Sequence, residues 1–524
     1  MKKRYFISGV VLLAIAGGTS YLYGTIVENK FKEAVALFNK SDNATLNVTE
    51  YKRGWLNSQA KTDVIVHSPK GSRPEIHMTF EHKIQHGPIF KQVSKTGSTW
   101  QFAQGLIESK LTSMDKGLVA QTDLQNTGVI DFTTLIGLNG ESEISIKGDQ
   151  FRIKDDGQGT IDWQGLTGHF NMNSNLDKVK GEVILPGIVL KNKDVDFSLE
   201  DVVIKTEQSL GAQPFQDLWL GNATVTIQHL VGKNEKHKPL NLDVKKILLG
   251  GVAEAQDNHL RLSGTLNVDQ FNFNEKQNGP LSYSLNFNKV SPDALRFLEA
   301  LNLKAKENPA MGGLIFIEQM GELARLFLTP RPELAMPSFQ LTTSNGVVNG
   351  QLQIAVGGEA ASNLQAPQAI LDSIEGNANL SLPKPILKDI LVGYLTPRAP
   401  IITPDQPAAS TLPEPTDLAQ KADQAIQELV QSGMLIEEKE QYKMNLLFKG
   451  VNVTVNGKPF VMPSSLQMQS MHAFRPAVKM NAVTSEPTLT APSQPAAAMS
   501  DQSGITSEPS AQEMPQTIEP EEMD

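Results

Sequence analysis

The chain has 524 residues, 40% of them hydrophobic and 20% charged, with a net charge of -10 and no cysteine. The missing cysteines exclude a disulfide framework, thiolate metal sites, a lipoprotein attachment and a cysteine nucleophile, and the acidic balance argues against a nucleic-acid surface, which needs clustered Lys and Arg. Apart from an N-terminal anchor and a tail, this length accommodates one large or two to three ordinary domains.

The N-terminal MKKRYFISGVVLLAIAGGTSYLYGTIVENK carries no charge from Tyr5 through Val27. As a helix that run rises roughly 35 Å, against about 30 Å for the hydrocarbon core of a bilayer. Lys2, Lys3 and Arg4 precede it, which leaves the N-terminus in the cytoplasm and sends the chain after Glu28 across the membrane. Ala14-Ile15-Ala16 has the small-x-small form of a processing site, so removal after Ala16 is the alternative. The apolar run continues through Tyr21, Leu22, Tyr23, Ile26 and Val27, which favours an uncleaved, single-pass signal anchor over residues 1–28. Directly after it, Ile26, Val27, Phe31, Ala34, Val35 and Phe38 make one apolar stripe, so the anchor is expected to run on into an amphipathic helix that packs on the body.

From there the period changes from 3.6 to 2. In DVDFSLE, LRLSGTLNVDQF and LSYSLNFN apolar residues alternate with Asp, Ser, Thr and Asn, the pattern of half-buried antiparallel strands. NATVTIQ, GQLQIAV, YKMNLLF and VNVTVNG repeat it, with glycine or Asn-Gly punctuation suited to hairpins. Helices are expected at VSPDALRFLEALN, with Ser291 as N-cap and Pro292 at the first position, and at MGGLIFIEQMGELARLFL, KPILKDILVGYL and TDLAQKADQAIQELVQSG. The sequence therefore predicts a mainly β (α+β) fold: a large antiparallel sheet, curved or sandwiched, with a few helices. The body is expected over 29–395, a proline-rich linker or loop over 396–416, and a helix plus closing hairpin over 417–476. The stretch 477–524 has eight acids against Lys479 alone and no aromatic residue, so it cannot bury enough apolar surface to fold and reads as a disordered acidic tail. Few helices face many one-sided strands, and each apolar strand face needs cover from a second sheet, from those helices, or from another apolar body.

Conventional chemistry is absent from the motifs. There is no phosphate loop, zinc-binding His-Glu-x-x-His or Gly-x-Ser-x-Gly elbow. His77, His82 and His86 lie in HMTFEHKIQHGPIF beside Glu81; on a strand His82 and His86 share a face about 13 Å apart and His77 points away, which rules out one shared metal. Asp155 and Asp156 in IKDDGQG suit a turn without an ion. In TLNVTEYKRGWLNSQAKTDVIV the pattern is strand, corner, strand: Gly54 is expected to take a backbone angle closed to other residues, Trp55 to bury its ring, and Lys52 and Arg53 to stay in water.

The anchor, the short helix, Tyr51-x-Arg53-Gly54 leading to Ser58, and His86-Gly87-Pro88, in that order, resemble the YdgA-like family of bacterial membrane-anchored envelope proteins of unknown function. YKMNLLFKGVNVTVNGKPF, with Tyr442, Gly450, Asn456 and Gly457, looks like the same family's closing hairpin. The resemblance implies a single-pass protein of the bacterial inner membrane with its bulk in the periplasm, and no activity, because it offers no catalytic residues to carry over; from the motifs, no cofactor or metal is expected. At the level of fold, the build is also similar to AsmA-type envelope proteins, whose long curved sheets form grooves for lipid. Two functions follow as expectations. One is a non-enzymatic envelope protein that binds lipid or another apolar ligand, or acts as an interaction scaffold for envelope proteins, with homo-oligomers left open. The alternative is a periplasmic hydrolase whose Ser, His and Asp meet only in the fold, with His86 at its centre.

Overall fold

The alternation read in the sequence becomes one antiparallel sheet in which almost every strand pairs with its neighbour in the chain. The computed structural model describes residues 2–39, 44–67, 76–94, 97–114, 130–155, 159–234, 240–273, 276–307, 311–357, 372–396 and 415–460. The proline-rich stretch beyond Thr396, the acidic tail and Asp156 lie outside them. The N-terminal strands are β1 (Ala44–Arg53), β2 (Asn57–Val66), β3 (Ile76–His86), β4 (Ile89–Ser94), β5 (Gly97–Met114), β6 (Asp131–Gly137) and β7 (Ser142–Gly148). A small hairpin, β8 (Phe151–Asp155) and β9 (Gly159–Trp163), precedes the central strands β10 (Leu166–Met172), β11 (Lys178–Lys191), β12 (Val195–Leu210), β13 (Trp219–Asn234), β14 (Leu240–Gln256), β15 (His259–Phe273) and β16 (Lys276–Val290). The C-terminal strands are β17 (Glu333–Thr343), β18 (Gly346–Val356), β19 (Ile374–Pro383), β20 (Ile436–Glu437), β21 (Gln441–Lys449), β22 (Asn452–Val455) and β23 (Lys458–Pro459).

Pairing runs β1-β2-β3-β5-β6-β7-β10-β11 and then in sequence order to β19 and β21. β4 pairs only with Gly97–Phe102, the part of β5 that runs on past its pairing with β3. Among the described residues there is no second sheet stacked on this one, so the sandwich, one of the two layouts open from sequence, is not adopted.

Directly paired residues share a face, and the register carries one row from edge to edge. It runs Tyr51, Ala60, His82, Ser109, Phe132, Ile146, Gly168, Val183, Ile204, Val225, Leu249, Leu266, Tyr283, Phe339, Gly350, Leu380 and Met444. A parallel row, Val202, Ile227, Ile247, Val268, Leu281 and Leu341, lies beside it. One face of the whole sheet is therefore mainly apolar, and the register between these rows presents a mixed row, Val203, Thr226, Leu248, Asn267 and Ser282, to the other side.

A crease crosses the centre. Pro186, Asp201, Gln228, Lys246, Asp269 and Pro280 align from β11 to β16, and the register skips this line at every strand pair. Asp201 (φ 49°), Lys246 (φ 52°) and Gly279 (φ 115°) have left-handed backbones on alternate strands, and the two prolines carry no N–H for a ladder. Across the line apolar residues step by three instead of two: Leu185 to Ile188, Leu199 to Val202, Ile227 to Leu230, Val244 to Ile247, Val268 to Phe271. A residue at positive φ interrupts the two-residue repeat, and a step of three keeps the apolar residues on one side through the bend.

The helices are α1 (Lys2–Phe38), α2 (Pro292–Glu307), α3 (Gly312–Leu328), α4 (Lys384–Leu395) and α5 (Pro415–Gln431), at the positions the sequence indicated. The expected cap forms, with the Ala294 N–H donating to Ser291 Oγ at 3.2 Å. α4 and α5 bury Leu387, Leu391, Leu395, Ala422 and Ile426 over Phe339, Leu380 and Met444. α2 and α3 bring Leu295 and Phe327 to Leu262 and Phe287 at one end of the central strands. α1 covers the N-terminal strands through Val27, which packs with Ala60, Ile84, Ile107 and Ile136, and through Phe31 beside Tyr51. Of the predicted stripe, Ile26, Ala34 and Phe38 are exposed instead, because the seam meets the sheet only at every third or fourth residue. Among the residues whose side chains are described, no helix is long and apolar enough to cross a membrane; the part of α1 before Thr19 lies outside them.

Candidate functional site

The N-terminal candidate residues converge where α1 meets β1, β2 and β3. Ser58 and His86, on diagonal positions of β2 and β3, are 2% and 4% exposed. The His86 Nδ1–H donates to the Trp55 carbonyl at 3.1 Å, so Nε2 accepts from the Ser58 hydroxyl at 2.8 Å. A Cβ on Gly24 of α1 would lie 2.6 Å from His86 Nδ1, and one on Gly105 of β5 would collide with Val27. These two glycines let helix and sheet approach closely enough to seal the histidine between them.

Two positions along the same face, beyond Ile84, His82 bridges two hydroxyls, Thr62 at 2.8 Å and Ser109 at 2.7 Å, under the edge of Phe31 at 5.3 Å. Burial holds its pKa down to about 4, so the ring is neutral at physiological pH. His77 is exposed on the opposite face, as its position in the strand indicates. The Tyr51 hydroxyl lies buried beside Ser58 without a hydrogen bond of good geometry, and burial raises its pKa above the usual tyrosine value.

Arg53 leaves this core and joins the helix by its other side. It donates to Glu28 Oε2 at 3.2 Å and to the Tyr21 hydroxyl at 2.5 Å, and its guanidinium sits 4.6 Å from the centre of the Tyr21 ring. Lys32 first, and Arg53 after it, hold the Glu28 carboxyl below the usual range. The Gly54 corner differs from expectation in two respects. Its backbone is not left-handed; the position excludes a side chain because a Cβ would strike the Asn57 carbonyl, to which the Gly54 N–H donates at 2.9 Å. The Trp55 ring is 63% exposed, packed edge-on to Tyr21 at 6.1 Å, because the interior space is taken by His86 and Val27. Gly87 and Pro88 fasten the base of β4 to β5, through Gly87 N–H to Gln104 O at 2.7 Å and Ala103 N–H to Pro88 O at 3.1 Å.

The C-terminal residues stay apart from this cluster. Gly450 (φ 59°) turns β21 into β22, and Asn456 (φ 51°) with Gly457 (φ 78°) turns β22 into β23. The Asn456 side chain donates to the Gly433 and Met434 carbonyls at 3.0 Å and accepts from the Asn445 N–H at 2.8 Å. Tyr442 packs on the α4 and α5 core with Lys384 over its ring. These positions shape the closing hairpin.

A cleft of about 550 Å3, lined by Ser20, Ser58, Gln85, His86, Ile89 and Glu108, opens beside the serine-histidine pair. Among the described residues no cluster of His, Asp and Glu has the form of a metal site. Sequence reasoning did not find Gly24, Gly105, Thr62 and Ser109; the only signal for them was a small residue on an otherwise apolar stripe or strand face.

The fold and this cluster define a single-meander β-sheet protein whose N-terminal helix is locked onto one sheet face through buried histidines. The chain belongs to a bacterial family of unknown function, DUF945, whose model matches residues 1–463. No curated protein and no solved structure matches it.

Proposed function

We propose that this chain is a non-enzymatic envelope protein of the YdgA-like kind, anchored in the inner membrane through α1, whose sheet holds a lipid or similar amphiphile on its apolar face. The observation that carries this reading is the uncovered middle of that face. Helices cover it at both ends, while between them Ile204 and Leu249 are each 42% exposed and Phe273 is 48% exposed, in continuous rows with half-buried neighbours. Apolar faces of this extent mark binding surfaces, and an acyl chain laid across the strands would recover the area that no second sheet covers.

The test is mass spectrometry of the organic extract from the full-length chain, purified beside an unrelated control membrane protein. An amphiphile is expected at near-stoichiometric ratio, and Ile204→Asp with Leu249→Asp is expected to reduce it about tenfold by placing carboxylates in the trough. A clean extract from well-folded protein overturns the reading.

A second reading rests on the 2.8 Å contact of Ser58 with His86, which has the nucleophile-and-base geometry of acyl transfer. Against it, the histidine is oriented by a carbonyl, Ser58 is nearly sealed, and the Gly54 and Gly87 N–H groups are already spent on Asn57 and Gln104. A labelled fluorophosphonate is expected to leave the chain unmodified. Labelling that disappears in Ser58→Ala would establish the hydrolase instead.

A further inference from the structure

α1 reaches the sheet at the end where β1 turns into β2: Gly24 packs on His86, Tyr21 packs on Trp55, and Ser20 lines one cleft with Leu56 and Ile89. The same end carries large apolar side chains in water. Trp55 and Leu56 at the β1–β2 corner are 63% and 60% exposed, and Leu138 after β6 is 51% exposed. On the β4–β5 ribbon Ile89 pairs with Phe102, and the next outward position on the same face is Trp100; these are 51%, 67% and 66% exposed. Tyr21 and Leu22 of α1 add to the group at 47% and 64%. No other end of the sheet gathers two exposed tryptophans.

We infer that this rim is a membrane-docking collar, which seats the α1 end of the sheet in the interfacial layer of the bilayer. The inference rests on the reading of α1 as an anchor and adds where the body stands relative to the membrane. Two observations select lipid as the occupant. First, the C-terminal part of the uncharged run is itself part of this rim, with Tyr21 packed on Trp55 and Ser20 lining one cleft with Leu56 and Ile89, so whatever surrounds the run meets the rim as well. Second, part of the run is not available to span. Ser20, Gly24 and Val27 are buried against the sheet, and the stretch from Tyr5 to Thr19 rises only about 22 Å where the hydrocarbon core needs about 30 Å. The sheet end must therefore be drawn against the bilayer, and tryptophan, tyrosine and phenylalanine flanked by Lys52 and Arg53 suit the interfacial layer it would enter. Docked in this way, the sheet brings the end of its apolar face to the membrane surface, where an amphiphile can pass between them.

The test uses the full chain with one tryptophan retained, the others replaced by phenylalanine, in vesicles of phosphatidylglycerol and phosphatidylcholine brominated near the headgroup end of its acyl chains. Trp163→Phe is a mild change, because the Trp163 Nε1–H is buried without a partner and its ring stacks on Phe151. Trp100 fluorescence is expected to fall about twofold against unbrominated vesicles and to shift to the blue, as an interfacial indole does. Trp163, whose strand position pairs with Ile188 of the apolar face, reports separately on lipid held by the sheet. Unquenched Trp100 in a chain that resists carbonate extraction overturns the collar and leaves the anchor standing. Extraction by carbonate removes the anchor and the collar together. A Trp100 emission already blue in detergent that reverts on dilution assigns the rim to a second copy of the chain and also overturns docking on lipid.

Discussion

Replacing Gly105 with valine is expected to lift α1 from the sheet and to lower folding stability by roughly 3 kcal/mol, at the upper end of the range for overpacking a core. The new branches enter the space held by Val27, which is fully buried, and the sheet cannot yield because Gly105 is paired with His86 on one side and Ile136 on the other. The pair can be separated from general damage by a double-mutant cycle with Val27→Ala. That change alone removes buried methyl groups and is expected to cost about 2 kcal/mol. Together the two should cost less than their sum by more than about 1 kcal/mol, since the truncated Val27 makes room for the new side chain. Denaturant midpoints of the four proteins measure the coupling. Additive losses would mean that Val27 and Gly105 do not share one contact, and the account of how α1 is locked would fail. Truncating Ile84 to alanine at the same seam, where it is also fully buried, sets the scale at about 2–5 kcal/mol.

The contrast between these residues and the strands shows what the sequence could disclose. Strand character was legible because alternation is local: DVDFSLE and LSYSLNFN state their two faces without reference to any partner. The four later helices were legible for the same reason, from capping and a 3.6-residue period. The phase step at Asp201 and Lys246 was present in the sequence as well, but it reads as a fault in the alternation until the register aligns it with Pro186, Gln228, Asp269 and Pro280 as one crease. The choice between one sheet and two was not legible, because alternation specifies an apolar face and not what covers it. The site was least legible of all. Ser58 and His86 are separated by 28 residues and Gly24 lies further off still, so their meeting depends on a helix that crosses three strands. Trp55 was misplaced because a tryptophan next to a glycine suggests a buried corner, whereas the corner here faces outward and the interior belongs to His86.

Stability is expected to fall as the pH is lowered from about 6.5 to about 4, through His82 alone by up to roughly 3 kcal/mol. The direction follows from which state binds the proton first. In the unfolded chain the imidazole protonates near its ordinary value, while in the folded chain burial beneath Phe31 holds it down to about 4, with Thr62 and Ser109 as its hydrogen-bond partners. Between those values the unfolded state carries more protons, so stability rises with pH across the window and is fully present above it. The loss should be felt first where α1 meets the sheet, because protonation requires both ring nitrogens to donate and one of the two hydroxyls to reverse its hydrogen bond. His82→Gln removes the titration while keeping one donor and one acceptor in place. It is expected to cost a little at neutral pH, from imperfect packing, and to flatten the acid limb of a plot of melting temperature against pH. An acid limb equally steep in His82→Gln and in the parent would show that His82 does not titrate between folding and unfolding. Glu28 acts at lower pH: Lys32 and Arg53 hold its carboxyl down, so its stabilisation is lost only as the pH falls below the usual carboxylate range, and it cannot produce a limb that begins near 6.5.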